Sequence, residues 1–109
     1  MNLTSNNVLA LIPARGGSKS IPRKNLIKIL GKPLIAWTIE LAKKSKFINR
    51  VIVSTDDEEI AKVSLKYGAE IPFMRPSIFA EDGSPDIDVF KHCLEWLKIN
   101  ENYIPEVIT

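Results

Sequence analysis

One cysteine, Cys93, and one histidine, His92, are all that 109 residues contain of either type. A lone thiol cannot close an internal disulfide, so an oxidising compartment is not what the chain is built for. With so few Cys and His ligands, a Cys/His metal centre is excluded as well. No apolar run approaches the ~18 residues of a membrane span. The opening MNLTSNN has no basic-then-apolar layout of a signal peptide. The five glycines form neither GxGxxG nor GxxxxGK[ST], since Lys19 follows Gly17 with only Ser18 between. Neither a P-loop NTPase nor a dinucleotide-binding Rossmann domain is therefore favoured. No acidic residue occurs before Glu40.

What remains is 45% apolar and 26% charged, the make-up of an ordinary globular domain. Disordered tails, collagen-like repeats and proteins that coat nucleic acid look different. The length allows one core and one domain, and the expected location is the cytoplasm. The net charge is +2, but Arg15, Lys19, Arg23, Lys24, Lys28 and Lys32 place +6 ahead of Glu40 and leave −4 for the rest. Such polarity suggests a local anion site rather than a surface-wide polyanion footprint. Lys28 and Lys32 are read as part of a solvated charged face.

Val8-Leu9-Ala10-Leu11-Ile12 is a continuous apolar run closed by Pro13, the pattern of a strand covered on both faces. A basic loop follows, from Ala14 to Lys32. A helix then opens at Pro33, with Leu34, Trp37, Leu41 and Ile35, Ile39, Ala42 at helical spacing. Arg50 to Ser54 reads as a second strand. Thr55-Asp56-Asp57-Glu58 has the form of a capping box, with Ile60, Val63, Ala61 and Leu65 as the buried stripe behind it and Gly68 as the stop. Glu70 to Met74 is a third extended piece, and Ser77 to Gly83 a loop. A third helix follows, with Ser84 as cap, Pro85 in its first turn, and Ile87, Phe90, Leu94, Leu97, Val89, Cys93 and Trp96 on its apolar face. Pro105 to Thr109 looks like the start of a further strand. This order predicts an α/β fold with a mostly parallel sheet and helices on both sides, and ligands beyond the carboxyl ends of the strands. Three βα units and a stub make a truncated domain.

The chemistry concentrates in Ala14-Arg15-Gly16-Gly17-Ser18-Lys19-Ser20-Ile21-Pro22-Arg23-Lys24-Asn25. Paired glycines after a buried strand let the backbone turn and bring N–H groups close to a ligand. A phosphate chain rewards that geometry, because amides and nearby cations satisfy several oxygens together. Arg15 offers a planar fork and Lys24 a point charge from the far side of the loop. Pro22 stiffens the return, and Asn25 can donate to and accept from a ribose or base.

The run IPARGGSKSIPRKN resembles the N-terminal signature of the acylneuraminate cytidylyltransferases, the CMP-N-acetylneuraminic acid synthetases. The similarity continues through Gly31-Lys32-Pro33-Leu34-Ile35, Val51-Ile52-Val53-Ser54-Thr55-Asp56, Gly68-Ala69-Glu70 and Arg75-Pro76 to Ile87-Asp88-Val89 and His92. It covers residues 8 to about 97 and matches the family's N-terminal half. The resemblance implies a three-layer, Rossmann-like nucleotidyltransferase fold in which residues 1–109 are the nucleotide-binding part. It also implies transfer of CMP from CTP to a nonulosonic acid, with release of pyrophosphate. Arg15 and Lys24 match the family's triphosphate-neutralising residues, the catalytic pair. Ala14, Gly16 and Gly17 belong to the same nucleotide-binding loop, Ser18 and Asn25 match its contacts to phosphate, ribose or base, and Arg75 matches an arginine near the nucleotide. The implied cofactor is Mg²⁺, with ligands expected in a C-terminal half that is absent here. The isolated chain is then expected to have little transferase activity. Ser20 stands where the family usually has glycine.

Other residues have plainer readings. Capping is favoured for Asp56 and Asp57, loop solvation and capping for Glu81 and Asp82, one structural hydrogen bond for His92, and core packing for Cys93. Trp37 and Trp96 read as core or interface. The expected partners are CTP and a nonulosonic acid sugar, with no nucleic acid, no membrane and self-association into a homo-oligomer. Two rivals stand: a cytidylyltransferase for another acidic sugar such as deoxyoctulosonate, and a non-catalytic nucleotide-binding fragment. Asn25 directly after Lys24 and the GGSK run argue against the deoxyoctulosonate enzyme. Nucleic-acid binding would need aromatics beside the charges, and the loop has none.

Overall fold

A computed structural model describes residues 8–15, 24–76 and 86–108. Its centre is strand β1 (Val8–Pro13), paired in parallel with β4 (Arg50–Ser54) on one side and β5 (Glu106–Ile108) on the other. The registers run from Leu9 opposite Arg50 to Pro13 opposite Ser54, and from Val8 opposite Glu106 to Ala10 opposite Ile108. Side chains alternate across the pleat, and both faces are covered. Leu9, Leu11 and Ile52 pack with Cys93 and Leu97 of α3 (Asp86–Glu101). Ala10, Val51 and Val53 pack with Ile35 and Ile39 of α1 (Leu34–Lys44) and Ile60 of α2 (Glu58–Lys66). Burial on both sides explains why these strands are apolar at successive positions rather than at every second one. The result is the expected three-layer α/β arrangement.

The basic loop contains structure that its sequence did not announce. A 3-10 turn (Lys24–Leu26) leads into a hairpin of β2 (Lys28–Ile29) and β3 (Lys32–Pro33), with Leu30 and Gly31 at its tip at φ 52° and 82°. Positive φ at both tip residues suits a tight hairpin, but leucine is an unusual choice for it. Pro33 precedes the first turn of α1 instead of entering it. The freed Leu34 N–H donates to the Ile27 carbonyl at 2.9 Å. Leu41 is 69% exposed, against expectation. At 3.6 residues per turn it lies about 200° around the helix from the buried Ile39, so Ala36 completes the stripe in its place.

The cap of α2 is Asp57, two residues later than the capping-box pattern suggested. Its Oδ1 accepts from the N–H groups of Glu59 (2.8 Å) and Ile60 (3.0 Å). Thr55 is buried, and its hydroxyl accepts from the Asp57 N–H at 3.1 Å, shaping the turn before the cap. Gly68, at φ 99°, ends the helix as expected. Its N–H reaches the Leu65 carbonyl, and Ala69 N–H reaches that of Ser64 at 3.0 Å, the paired bonds of a Schellman motif. Ser64 takes a place in the buried stripe, its hydroxyl donating to the Ile60 carbonyl, while Leu65 is exposed. Glu70 to Met74 does not form a strand. Only Glu70 bridges β4, in parallel with Ile52. The loop from Ser77 to Gly83, the Ser84 cap and Pro85 lie outside the described residues, as does the side chain of Ile87.

At the amino end of the sheet, Arg50 ties three segments together. Its Nε and Nη2 donate to Glu70 (2.9 and 2.6 Å) and its Nη1 to Glu101 (2.9 Å), and the guanidinium lies 4.7 Å from the Tyr103 ring centre. The hydrogen bonds to Glu70 hold this cation above the usual arginine range, against the opposing effect of burial.

Candidate functional site

The connections place β4 on one side of β1 and β5 on the other, so the chain order reverses at β1. In open parallel sheets, ligands bind beyond the carboxyl ends at such a reversal. Ala14 and Arg15 leave β1 at that point. Ala14 is 1% exposed, and its N–H donates to the Ser54 carbonyl at 2.9 Å, so the start of the basic loop is fixed to the end of β4. Arg15, the next residue, is half-buried.

Arg75 reaches the same carbonyl. Its side chain is buried, its Nη2 donates to Ser54 O at 2.6 Å and its Nε to Ser54 Oγ at 3.1 Å. Its backbone N–H donates to the Thr55 carbonyl at 2.8 Å. Ser54 O therefore accepts from Ala14 and Arg75 together. Two of the expected site residues, far apart in sequence, meet through one acceptor. Ser54 and Thr55 were not singled out for the site. Their signal was present as two hydroxyl residues directly after the apolar run Val51–Val53.

Lys24 and Asn25 are held by a different anchor. They sit in the 3-10 turn, Lys24 exposed and Asn25 half-buried. The turn is closed by Ile27 N–H to the Lys24 carbonyl at 3.2 Å, and Leu26 packs against the α1–α2 core. The far end of the basic loop is thus tied to the start of α1. Gly16, Gly17 and Ser18, with the rest of 16–23 (Lys19, Ser20, Pro22 and Arg23 included), lie outside the described residues, as do Glu81 and Asp82.

His92, on α3, packs edge-on to the Phe73 ring with centroids 4.8 Å apart, and Phe73 in turn meets Trp96. Burial, aided by the positive charge of Arg75, lowers its imidazole below the ordinary histidine range. Cys93 is a core residue, as expected. Its burial pushes the thiol up to about 11. Lys32 departs from the solvated face assigned to it: its ammonium pairs with Glu40 and lies 4.2 Å from the Trp37 ring centre. Among the described residues no group of three or more His, Cys, Asp or Glu is placed to hold a metal ion. The acids nearest the carboxyl ends open α2, and Asp57 is engaged as its cap. No helix among the described residues is long and apolar enough to cross a membrane.

A three-layer parallel sheet with a basic loop leaving its central strand at the reversal point defines a Rossmann-like α/β domain. Residues 9–95 match the sequence profile of the Cytidylyltransferase family. The chain belongs to that family. It is 50% identical over 90 residues to pseudaminic acid cytidylyltransferase of Campylobacter jejuni, a match covering 83% of this chain and 39% of that protein. It is 47% identical over 87 residues to N-acylneuraminate cytidylyltransferase A of Danio rerio, covering 80% of this chain and 20% of that one. Among solved structures, CMP:2-keto-3-deoxy-manno-octonic acid synthetase complexed with CTP superimposes with a TM-score of 0.67 at 28% identity, over 87% of this chain and 36% of that one. The chain spans at most about two fifths of the length of these relatives.

Proposed function

We propose that this chain forms the CTP-binding part of an enzyme that transfers CMP to a nonulosonic, sialic-type acid. The anomeric hydroxyl of the sugar attacks the α-phosphorus. A sugar O–P bond forms, the bond to the β-phosphate breaks, pyrophosphate leaves and the hydroxyl proton is lost. Such a displacement asks the protein for positioning and charge neutralisation more than for covalent help. Arg15 and Lys24 supply the charge from the two ends of the loop. Ala14, whose own N–H is spent on Ser54, anchors the start of the loop; by resemblance Gly16, Gly17 and Ser18 are assigned its backbone and hydroxyl donors, Asn25 the ribose or base, and Arg75 a cation at the end of β4. The observation that supports this most is the fixing of Ala14 and Arg75 to one carbonyl at the sheet's reversal point. The resemblance to enzymes named for pseudaminic and acylneuraminic acids favours a nonulosonic acid as acceptor. A divalent cation, Mg²⁺ by expectation, belongs to this proposal as companion of the triphosphate.

Competition calorimetry with CTP, UTP, GTP and ATP tests the nucleotide assignment. CTP is expected to bind tightest, and equal binding of all four contradicts it. Incubation of the chain with CTP, Mg²⁺ and an acylneuraminate is expected to give little CMP-sugar. Ordinary turnover would show that these residues are more than the nucleotide-binding part.

A further inference from the structure

We propose that Lys32, Trp37 and Glu40 are positioning residues for the basic loop: they clamp the β2–β3 hairpin to α1 and thereby hold Lys24 and Asn25 in place. This rests on the assignment of the loop to CTP.

The clamp has a centre and two arms. Lys32 opens β3, and its ammonium pairs with the Glu40 carboxylate and sits over the Trp37 indole, 4.2 Å from the ring centre. From the other strand, the Ile29 carbonyl accepts the Trp37 Nε1–H at 2.8 Å. Both strands of the hairpin are thus attached to one face of α1. The ammonium of Lys32 is committed to these neighbours, whereas Lys24 and Lys28 are exposed. Lys32 is therefore suited to hold the chain rather than to meet a phosphate.

The hairpin needs such a clamp. Strands of two residues are not stable alone in water, and the tip places Leu30 at φ 52°, a conformation that side chains disfavour, with the leucine 90% exposed. Directly upstream, Ile27 is bonded both to Leu34, through its carbonyl, and to Lys24, through its N–H. Whatever fixes the hairpin fixes the turn that displays Lys24 and Asn25. A lysine on a fixed turn meets a triphosphate without the ordering cost that a mobile loop would add to binding.

Titration calorimetry of CTP into the 109-residue chain and its variants tests this. Trp37→Phe removes the indole N–H and keeps a ring, and Lys32→Met removes the charge and keeps the stem. Each is expected to weaken CTP binding about fivefold, the worth of one ordinary hydrogen bond or cation–ring contact. Lys32→Arg, which preserves charge and ring stacking, is expected to restore it. In a Lys24→Ala, Asn25→Ala background, Trp37→Phe should change affinity by less than about twofold, because its effect passes through those two residues. Should either clamp variant fail to fold, Glu40→Gln takes its place in the same cycle. Equal weakening with and without Lys24 and Asn25, or none in variants of unchanged circular dichroism, overturns the clamp while leaving the CTP site standing. An unaltered chain that binds no CTP overturns both.

Discussion

Arg75 carries its charge inside the protein, only 4% exposed, and gives two side-chain hydrogen bonds to Ser54. Replacement by methionine keeps most of the apolar stem and removes the fork. A hydrogen bond from a charged donor contributes about 1.5–3 kcal/mol, so the two together contribute about 3–6 kcal/mol before any offset. Returning a buried cation to water recovers a good part of that. Ser54 O keeps its bond from Ala14, whereas Ser54 Oγ loses its donor. The net destabilisation expected for Arg75→Met is about 2 kcal/mol, and for a domain of this size the melting temperature should fall by on the order of 10 °C. Arg75→Lys should rescue only in part, since one ammonium on a flexible stem replaces a planar fork whose Nε and Nη2 each meet their own acceptor. Urea denaturation followed by far-ultraviolet circular dichroism reads the loss. A Ser54→Ala companion completes a double-mutant cycle with an expected coupling of about 1 kcal/mol. If Arg75→Met melted within about 2 °C of the unaltered chain, Arg75 would not be the strut described here.

Asp57→Ala should cost about 1 kcal/mol through loss of the α2 cap, and Asp57→Ser should retain most of it. Urea midpoints check both. Arg50→Met should cost about 1–2 kcal/mol, more at low than at high salt, because its carboxylate partners are partly exposed and screened; urea titrations at two salt concentrations check it. His92 has a folded-state pKa below its unfolded value of 6.5, so it favours the fold only while neutral. Stability should be level above that pH and decline as pH falls through it, because the unfolded chain then binds more protons. His92→Gln should flatten the decline in urea midpoints measured from pH 7 to pH 5.

Much of the fold could be read along the chain. The unbroken apolar runs Val8–Ile12 and Val51–Val53 pointed to strands covered on both faces, and both faces are covered. The stub before Thr109 was read as the start of a further strand, and it pairs with β1. The hairpin was not legible, because it is held by contacts from α1 and not by local turn residues: nothing in Leu30-Gly31 demands a tip without Trp37 and Lys32 behind it. The cap of α2 was misplaced because Thr55 and Asp57 can both accept N–H bonds; the Thr55 hydroxyl takes the Asp57 N–H, which leaves the first helical N–H groups to Asp57. At the candidate site, Arg15 and Lys24 stood out by charge and by resemblance, and Arg75 by resemblance alone. Ser54, which joins Ala14 to Arg75, carries no charge and needed the geometry to be found.

The CTP affinity of Arg15→Ala and Lys24→Ala chains, measured by titration calorimetry beside the unaltered protein, bears most directly on the proposed role of the basic loop. Each loss is expected to weaken binding about tenfold to a hundredfold, as removal of one charge-assisted contact to phosphate does, while the melting temperature stays within about 3 °C. Unchanged affinity in both variants, with the fold intact, would contradict it.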